Sequence, residues 1–315
     1  MKMLLTGGRG YIGGRLAQDL SRRGAELRLA SRYPAPAPAW LPTVEPVSVD
    51  WGSSESLHAA CIGQDAVIHL AGLNAQSSAS DPAGALIVNG VHTARLLEAA
   101  IAQGVSRFVY FSTAHVYDSP LSGPISERYC PRNLHPYASS HRAGEDVVRA
   151  AHDAGRVDGV VIRLANALGP PADSSADCWT LLLNSLAREA ASAGRMTLRT
   201  AGLQQRDFVA MSDVCRMMAD LLLLPRASLG DGLFNMGGGQ SRSVLEITDL
   251  LAQRFTLATG QSIDIHRPQP GNSEAATALQ YEISKLLGAG VRAPDPAALV
   301  AELDNLVAFC MAGMT

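Results

Sequence analysis

The sequence predicts an α/β protein with a doubly wound parallel sheet and a smaller C-terminal domain. Three observations support this: a glycine-rich turn after the first apolar run, alternating strand and helix patterns through the first half, and the loosening of that alternation after Gly169-Pro170-Pro171. Alternation of this length favours a parallel sheet covered by helices on both faces. The chain of 315 residues is long enough for one such domain and a smaller companion.

The first element is a short apolar strand that ends in a glycine-rich turn. Residues 3–6 are followed by Gly7, Gly10 and Gly13, and then by an amphipathic stretch that should end at Gly24. Glycines let the backbone approach a ligand closely, and a helix N-terminus offers unpaired N–H groups to a diphosphate. The order of strand, turn and helix therefore predicts a dinucleotide site, with a turn that binds no ligand as the simpler alternative.

The following elements keep the alternation. Short apolar runs predict further strands at 27–30, 46–50, 66–71, 107–112 and 159–164. Apolar residues at helical spacing predict helices at 89–103 and 137–154. Ligands of such sheets bind beyond the carboxyl ends of the strands.

The second half is less regular. Residues 173–200 have a helical and polar pattern, 207–224 return to strand followed by helix, 233–236 predict a strand, and 244–255 and 297–311 predict helices. We therefore expect a dinucleotide-binding domain at 1–168, to which 206–236 return. The smaller substrate-binding domain would comprise 169–205 and 237–315.

The amino-acid composition limits the classes of binding partner that we expect. A hydrophobic content of 47% and a charged content of 17% fit a globular protein, and a net charge of −3 gives no reason to expect nucleic acid or a membrane surface. The five cysteines are scattered without a CxxC pair, which argues against disulfides and a zinc site. No apolar run approaches membrane-spanning length. We expect a cytoplasmic protein without a bound metal.

Hydroxyl side chains are predicted at the carboxyl edge of the sheet. Thr113 follows a strand that ends at Ser112, and Tyr137 opens a helix. His141 lies one helical turn after Tyr137 and shares its face. These side chains should face the crevice where the cofactor binds.

Together these motifs resemble the NAD-dependent epimerase/dehydratase family of extended short-chain dehydrogenases/reductases. The matching segments run nearly end to end: Thr6–Gly13, Ile68–Gly72, Phe111–Tyr117, Pro136-Tyr137, Arg163–Pro170, Arg206–Val209 and Phe234–Gly239.

The resemblance implies a Rossmann-type domain and a nucleotide-sugar substrate. Tyr137 would be the acid/base on a sugar hydroxyl, and Thr113 would hydrogen-bond the same hydroxyl. Hydride transfer to the nicotinamide would give a 4-keto sugar, which an epimerase reduces again on its other face. Asn166 and Arg206 match positions that hold the nucleotide diphosphate.

The resemblance also implies dinucleotide-binding roles for Gly7, Gly10, Gly13, Asp50, Leu70, Ala71 and Gly72. We further expect Tyr11, Ile12, Ser31, Arg32, Trp51 and His141 to line the same cofactor site.

His141 departs from the family pattern, which has a lysine four residues after the tyrosine. A tyrosine with a pKa near ~10 ionises at neutral pH only at a cost of roughly 4 kcal/mol, which a nearby positive charge reduces. A neutral imidazole can bind a ribose hydroxyl but supplies no fixed charge. The family lysine both binds the cofactor and supplies a positive charge near the tyrosine. We expect His141 to keep the first of these roles and to weaken the second. The alternative is that catalysis has been lost.

The choice between NAD and NADP depends on the end of the second strand. A carboxylate there favours NAD and an arginine favours NADP. Ser31 and Arg32 with no acid favour NADP, and the alternative is that Arg32 is a solvated loop residue.

The motifs leave the reaction open. A C4 epimerase is the first hypothesis, an NADPH-dependent 4-ketoreductase the second, and a non-catalytic dinucleotide-sensing protein the third. Family dehydratases carry an Asp-Glu pair after the threonine, where this chain has Ala114 and His115, so a 4,6-dehydratase is not expected. A diphosphate-binding Arg-x-Gly-Asp stretch is replaced by residues 269–272, near Arg267.

Other residues have competing interpretations. His69 is predicted to pack in the core, and His115 could face either substrate or solvent. Asn89 matches a family asparagine, but an ordinary helix N-cap explains it equally well. The resemblance also implies a homodimer formed through the helices at 89–103 and 137–154, although core packing explains their apolar stripes equally well.

Overall fold

The computed structural model describes residues 1–270 and 278–313. Its strands are β1 (Lys2–Thr6), β2 (Glu26–Ser31), β3 (Glu45–Ser48), β4 (Ala66–His69), β5 (Arg107–Thr113), β6 (Gly123–Ile125), β7 (Asp158–Leu164), β8 (Asn166–Leu168), β9 (Arg195–Thr197), β10 (Gln205–Ala210), β11 (Leu233–Met236), β12 (Ser241–Ser243), β13 (Asp264–His266) and β14 (Leu279–Tyr281). Its α-helices are α1 (Tyr11–Arg22), α2 (Ser54–Cys61), α3 (Ala75–Ser80), α4 (Pro82–Ala85), α5 (His92–Ala102), α6 (Pro136–Asp153), α7 (Leu182–Ala193), α8 (Met211–Leu223), α9 (Val244–Thr259), α10 (Ser284–Gly288) and α11 (Pro296–Ala312).

A seven-stranded sheet is the centre of the fold. Its order is β11-β7-β5-β4-β1-β2-β3, and every neighbouring pair is parallel. The chain builds outward from β1 to β3 and then returns to β4 on the other side of β1. This reversal opens a crevice at the carboxyl ends of β1 and β4, where ligands of such sheets bind. The predicted doubly wound parallel sheet is confirmed.

Helices cover both faces of this sheet. On one face Leu16 of α1 and Met218 of α8 pack with Leu5, and all three are fully buried. On the other face Leu97 of α5 and Val148 of α6 pack in the cluster that contains Leu4. Because β1 points successive side chains to opposite faces, both cores are anchored on the same strand.

A second group of elements lies beyond the carboxyl edge. Strand β10 pairs in parallel with β8 and antiparallel with β12. Helices α7, α9 and α11 share a core that includes Leu186, Leu251 and Leu303. Within residues 206–236, β11 belongs to the main sheet and α8 packs against that sheet. Strand β10 belongs instead to the small three-stranded sheet.

Two predicted helices differ from the observed ones. Within the polar stretch 173–200 only Leu182–Ala193 (α7) is α-helical, and the short strand β9 follows it. At the start of the stretch the Asp173 carboxylate accepts the Ser175 N–H at 2.9 Å and holds a local turn instead. The helix expected at 89–103 begins seven residues earlier, and its Leu86–Val91 segment is π-helical. Asn89 therefore lies inside a continuous helix, and its interpretation as an N-cap is wrong.

The same continuous helical segment, Pro82–Ala102, is long and apolar enough to cross a membrane by length and composition alone. Buried helices of soluble proteins pass the same test, and 44% of its most apolar window is buried within the fold.

Candidate active site

The glycine-rich turn joins β1 to α1 at the sheet reversal. Gly7 has φ +68°, and a Cβ there would lie 2.7 Å from the Leu70 carbonyl carbon. A Cβ on Gly13 would overlap the Gly7 carbonyl oxygen, so α1 packs against the turn only with glycine at this position. No side chain caps α1 at Gly10. The helix N-terminus with its free N–H groups is therefore open to an anionic ligand.

The end of β2 carries positive charge without a carboxylate partner. Arg32 is exposed and forms no ion pair within residues 1–270 and 278–313. The Arg9 guanidinium donates to the Pro36 carbonyl and likewise has no acidic partner in the described chain. Ser31 donates to the Tyr33 carbonyl at 2.7 Å. Both arginines and Ser31 line one cavity at this end of the crevice.

An aromatic pair closes the far side of that cavity. The rings of Trp51 and His92 are stacked, with centroids 5.2 Å apart and an angle of 16° between their planes. The neighbouring Asp50 is exposed, and its carboxylate accepts the Gly52 N–H at 2.8 Å. The stacked pair offers a flat apolar surface to a planar ring.

The end of β4 passes below the glycine turn. Leu70 N–H donates to the Thr6 carbonyl, and Leu70 and Gly72 line a cavity shared with the glycine turn. The Asn89 side chain accepts the Leu73 N–H at 2.9 Å and donates to Ser140 at 2.9 Å. Asn89 thereby ties the loop after β4 to helix α6.

His69 is fully buried at the end of the same strand. Its Nδ1 lies 2.6 Å from the Thr6 hydroxyl and its Nε2 lies 3.0 Å from the Thr93 hydroxyl. Burial lowers the pKa of His69 to about 3, so this imidazole is neutral at physiological pH. Its position fits the predicted packing role.

Thr113 and Tyr137 face each other across the crevice. Thr113 ends β5, and Tyr137 lies in the first turn of α6, which the Pro136 ring opens. Burial raises the pKa of Tyr137, and a hydrogen bond with Thr113 opposes that rise. Both residues line a cavity whose other walls include β8, β10 and the first residues of α1 and α7.

His141 lies directly behind the tyrosine. The two rings meet edge to face, with centroids 4.6 Å apart. His141 Nδ1 lies 2.9 Å from the Tyr110 hydroxyl oxygen, and burial lowers the pKa of His141 to about 4. The imidazole therefore carries no charge at neutral pH, in contrast to a lysine.

The cavity that contains Thr113 and Tyr137 extends to a second group of polar residues. Asn166, Arg206 and His115 line it. Asn166 donates to the Asp207 carbonyl at 3.0 Å, whereas the Arg206 guanidinium forms no hydrogen bond or ion pair with any residue the structure describes. Burial of Arg206 lowers its pKa. A half-buried and unpaired guanidinium at a cavity wall is suited to an anionic ligand.

His115 faces this cavity rather than bulk solvent. Burial, then Arg206 and then His135 lower its pKa, so the ring is neutral near pH 7. Ala114 beside it is buried in the protein. Among the described residues that line this cavity there is no carboxylate.

Tyr11 and Ile12 connect the two halves of the crevice. Both line the glycine-turn cavity and the cavity with Thr113. The Tyr11 hydroxyl donates to the Gly169 carbonyl at 2.8 Å. Tyr11 thus ties the start of α1 to the chain beyond β8.

A buried ion pair behind the site was not identified from the sequence. Glu145 and Arg163 are both buried, with Nη2 and Oε2 2.5 Å apart. The Ser112 hydroxyl donates to Glu145 at 2.5 Å, and the Arg163 guanidinium lies over the Tyr117 ring. This network joins α6, β5 and β7 beneath the hydroxyls of Thr113 and Tyr137. Its only sequence signal is that Glu145 follows Tyr137 by eight residues, on the same helical face.

The replacement for the diphosphate-binding stretch is only partly described. Gly271 and Asn272 lie outside the described residues. Arg267 donates to the Ala201 carbonyl at 3.0 Å. No group of three or more histidine, cysteine or acidic side chains suited to a metal occurs within residues 1–270 and 278–313.

Comparison with known proteins gives a family match over most of the chain. Residues 3–237 match the model of the NAD dependent epimerase/dehydratase family. A UDP-glucose 4-epimerase from Azospirillum brasilense is 29% identical over 267 residues, which cover 80% of this chain and 77% of that protein. A dTDP-glucose 4,6-dehydratase from Actinoplanes sp. is 30% identical over 275 residues, which cover 80% of this chain and 81% of that one.

Solved structures share the fold across the whole chain. The structure of MoeE5 in complex with UDP-glucose and NAD superposes with a TM-score of 0.77 at 23% identity, covering 100% of both chains. At this identity the similarity concerns the fold.

Proposed function

Because the chain belongs to the NAD-dependent epimerase/dehydratase family of enzymes, we propose that it is a nucleotide-sugar epimerase that acts through a transient 4-keto sugar. The observation that carries the proposal is a single cavity lined by Thr113, Tyr137, Asn166 and Arg206, next to the glycine-turn cavity. Tyr137 lines both cavities, so it is available to a sugar and a nicotinamide at once.

The residues around the glycine turn fit a dinucleotide. The space that a Cβ on Gly7 or Gly13 would fill is taken by backbone, and the uncapped start of α1 faces the cavity. Gly7, Gly10 and Gly13 would hold the diphosphate, Trp51 would lie against the adenine, and residues 70–72 would line the nicotinamide side. A bound nicotinamide would supply the acceptor for a hydride from the sugar carbon and the donor for its return.

The chain's own residues perform the proton transfer. Tyr137 removes the proton from the sugar hydroxyl as the hydride leaves, and it returns a proton when the keto sugar is reduced. Thr113 hydrogen-bonds the same sugar oxygen and keeps it within reach of the phenol. Asn166 and Arg206 hold the diphosphate of the substrate, so the sugar can turn over while its nucleotide stays bound.

A 4,6-dehydratase is disfavoured even though several relatives have that name. Elimination of water needs an acid and a base beyond the tyrosine. Ala114 supplies neither. Of the residues between Thr113 and Tyr137 in sequence, Ala114 and His115 line this cavity, and the ring of His115 is neutral near pH 7.

The second candidate is an NADPH-dependent 4-ketoreductase of a nucleotide sugar. Arg9 and Arg32 support it, because both line the cavity at the end of β2 together with the Ser31 hydroxyl and have no acidic partner among the described residues. This arrangement suits the 2′-phosphate of NADP, and a reductase requires a cofactor that exchanges freely. We propose NADP as the preferred cofactor.

Retained cofactor and net redox change distinguish the candidates. The purified protein is denatured, its released dinucleotide is identified by mass, and fresh enzyme is incubated with UDP- and dTDP-hexoses. Epimerisation without net change in nicotinamide absorbance supports the first candidate, and stoichiometric oxidation of NADPH with a 4-keto sugar supports the second. Tyr137→Phe is the control. Bound dinucleotide without any sugar turnover would support the third possibility, a non-catalytic dinucleotide sensor.

The cofactor preference has its own test. Dissociation constants for NAD and NADP are measured for the wild type, Arg9→Ala and Arg32→Ala. A loss of about tenfold or more for NADP with little change for NAD supports the phosphate role. Equal losses for both dinucleotides would refute it.

We also propose a cytoplasmic homodimer that forms through the helical face around the π-helical segment. Leu86, Ile87 and Val91 are exposed there by 43–49%, whereas Leu97 and Val148 of the expected stripes are buried in the chain's own core. Light scattering with size-exclusion chromatography on the wild type and Ile87→Glu tests this. A monomeric wild type contradicts it.

A further inference from the structure

Tyr110 holds the His141 imidazole from the side opposite the cavity. It lies in the middle of β5, only 1% exposed, and its hydroxyl oxygen is 2.9 Å from His141 Nδ1. The imidazole lines the glycine-turn cavity together with Tyr137. Its other nitrogen, Nε2, forms no hydrogen bond with any residue in the described part of the chain.

A neutral imidazole has one proton, so the partner of Nδ1 decides what Nε2 offers to a ligand. If Nδ1 accepts a hydrogen bond, Nε2 carries the proton and is a donor. If Nδ1 donates, Nε2 is only an acceptor. The role of His141 therefore depends on where the Tyr110 proton goes.

The Tyr110 hydroxyl has two acceptors within reach. His141 Nδ1 is at 2.9 Å and the Asn89 carbonyl oxygen is at 3.2 Å. The Asn89 carbonyl already accepts the Thr93 hydroxyl at 2.7 Å, and Thr93 in turn lies 3.0 Å from Nε2 of His69. The carbonyl is thus satisfied from another direction, and the nearer acceptor for Tyr110 is the imidazole.

We propose that Tyr110 donates its proton to Nδ1 and so fixes His141 as the Nε2–H tautomer, whose N–H is offered to a hydroxyl of the dinucleotide ribose. Tyr110 is then a positioning residue that acts through His141. The proposal rests on the proposed function, because its ligand is the cofactor. Burial raises the pKa of Tyr110 and lowers that of His141, so the first remains a donor and the second stays neutral near pH 7.

Nitrogen-15 NMR of histidine-labelled protein without dinucleotide tests the tautomer directly. The chain has eight histidines, and the signals of His141 are assigned by their loss in His141→Asn. We expect Nδ1 to have the shift of an unprotonated ring nitrogen and Nε2 that of an N–H. In Tyr110→Phe the two shifts should move toward an average, because the tautomer is no longer fixed.

Dinucleotide affinity is the second readout. Loss of one oriented hydrogen bond should weaken binding to Tyr110→Phe by about fivefold. The matched control is Tyr281→Phe, which removes another buried hydroxyl that donates to the Arg163 carbonyl at 2.7 Å. It should leave the His141 shifts and the affinity unchanged.

The possible outcomes separate the two proposals. A protonated Nδ1 in the wild type, or His141 shifts unaffected by Tyr110→Phe, overturns the inference whatever the enzyme's activity. If Tyr110→Phe does not fold, the wild-type shifts alone still decide. If the tautomer is as expected but no dinucleotide binds, the proposed function fails, and the offer of the N–H to a ribose fails with it.

Discussion

His141 occupies the position where the family resemblance implies a lysine, and its environment keeps it neutral. Burial lowers the pKa of His141 to about 4 and raises the pKa of the adjacent Tyr137. Position 141 therefore lacks the fixed positive charge next to the phenol that a lysine would supply. A bound oxidised nicotinamide would supply such a charge, which links proton transfer to cofactor occupancy.

His141→Lys should move the pH dependence of turnover. An ammonium within about 4–6 Å of a phenol lowers its pKa by roughly 1–3 units, so the alkaline rise in kcat should shift to lower pH and kcat at pH 7 should increase severalfold. The measurement is a kcat profile between pH 6 and 10. Ser139→Lys, which adds the same charge on the exposed side of α6, should leave the profile in place. An unchanged profile for His141→Lys would contradict this account of position 141.

Glu145→Gln should destabilise the protein strongly. Glu145 and Arg163 have side chains 0% and 3% exposed, so the substitution leaves a buried guanidinium without its counter-charge. Breaking one partner of a buried pair costs about 3–5 kcal/mol, to be measured by urea unfolding at pH 7. Glu98→Gln is the control, since Glu98 pairs with Arg156 at 2.6 Å on the surface and its loss should cost less than about 1 kcal/mol. Equal costs for both variants would show that burial of the pair does not matter.

Two glycines in the turn between β1 and α1 meet different requirements. One concerns the packing of the helix against the turn and the other concerns access of a ligand to the start of the helix. A Cβ on Gly13 would overlap the Gly7 carbonyl, which disturbs the packing of helix on turn. A Cβ on Gly10 would meet only the Gly7 oxygen, at 3.2 Å, and otherwise project into space at the start of α1. Gly13 is thus required for packing, whereas we propose that Gly10 keeps the approach to the start of α1 open for the ligand.

Gly10→Ala should therefore weaken dinucleotide binding with little loss of stability. The added methyl group occupies the approach of the diphosphate to the N–H groups of α1, so we expect at least a tenfold rise in the dissociation constant. Calorimetric titration measures the affinity, and thermal melting without ligand measures stability. Gly288→Ala, where a Cβ meets no atom within 4 Å, should change neither. A lower melting temperature with unaltered affinity would reverse the roles assigned to the two glycines.

Elements with a strong local pattern were predicted well from the sequence. The strand at 233–236 has the predicted bounds, and α9 begins at Val244 as expected. In both cases the apolar pattern and the flanking glycine or serine mark the limits of the element within the local sequence.

The parts of the site that depend on distant contacts were not predictable in this way. The π-helical Leu86–Val91 segment allows Asn89 to reach both Leu73 and Ser140. Tyr110 gives the pattern of an ordinary buried strand residue, because its hydroxyl acquires a role only once α6 places His141 beside it. Periodicity reports which face is buried, not which polar atoms meet there.

The two parts of the molecule are tied together next to the cofactor site. Arg15 of α1 pairs with Glu302 of α11 at 2.6 Å and donates to the Pro170 carbonyl at 2.8 Å. Glu302 also accepts the Ser212 N–H at 2.9 Å. The helix that would receive the diphosphate is therefore fixed to α11 by an ion pair.

Buried neutral histidines make the whole fold sensitive to acid. His69 and His141 have pKa values of about 3 and about 4 in the folded protein, against about 6.5 when unfolded. Between the folded and the unfolded pKa values, the unfolded chain binds more protons than the folded protein does. The free energy of unfolding therefore rises with pH, and stability is lost as pH falls from 6.5 toward 4. Asp207 acts in the opposite direction, because burial raises its pKa to about 7 and its ionisation destabilises the fold as pH rises from about 4 to 7.

Comparing variants isolates the histidine contribution from that of Asp207, which is common to all of them. His69 and His141 should each remove about 2 kcal/mol of unfolding free energy between pH 7 and pH 5. His141→Asn should therefore lose about 2 kcal/mol less than the wild type over this interval, whatever its stability at pH 7. Urea unfolding of protein without dinucleotide at the two pH values provides the measurement, with the exposed His266→Asn as control. Parallel losses in the wild type and His141→Asn would mean that the imidazole is charged in the folded protein, and it could not then be the neutral partner of Tyr110 and Tyr137.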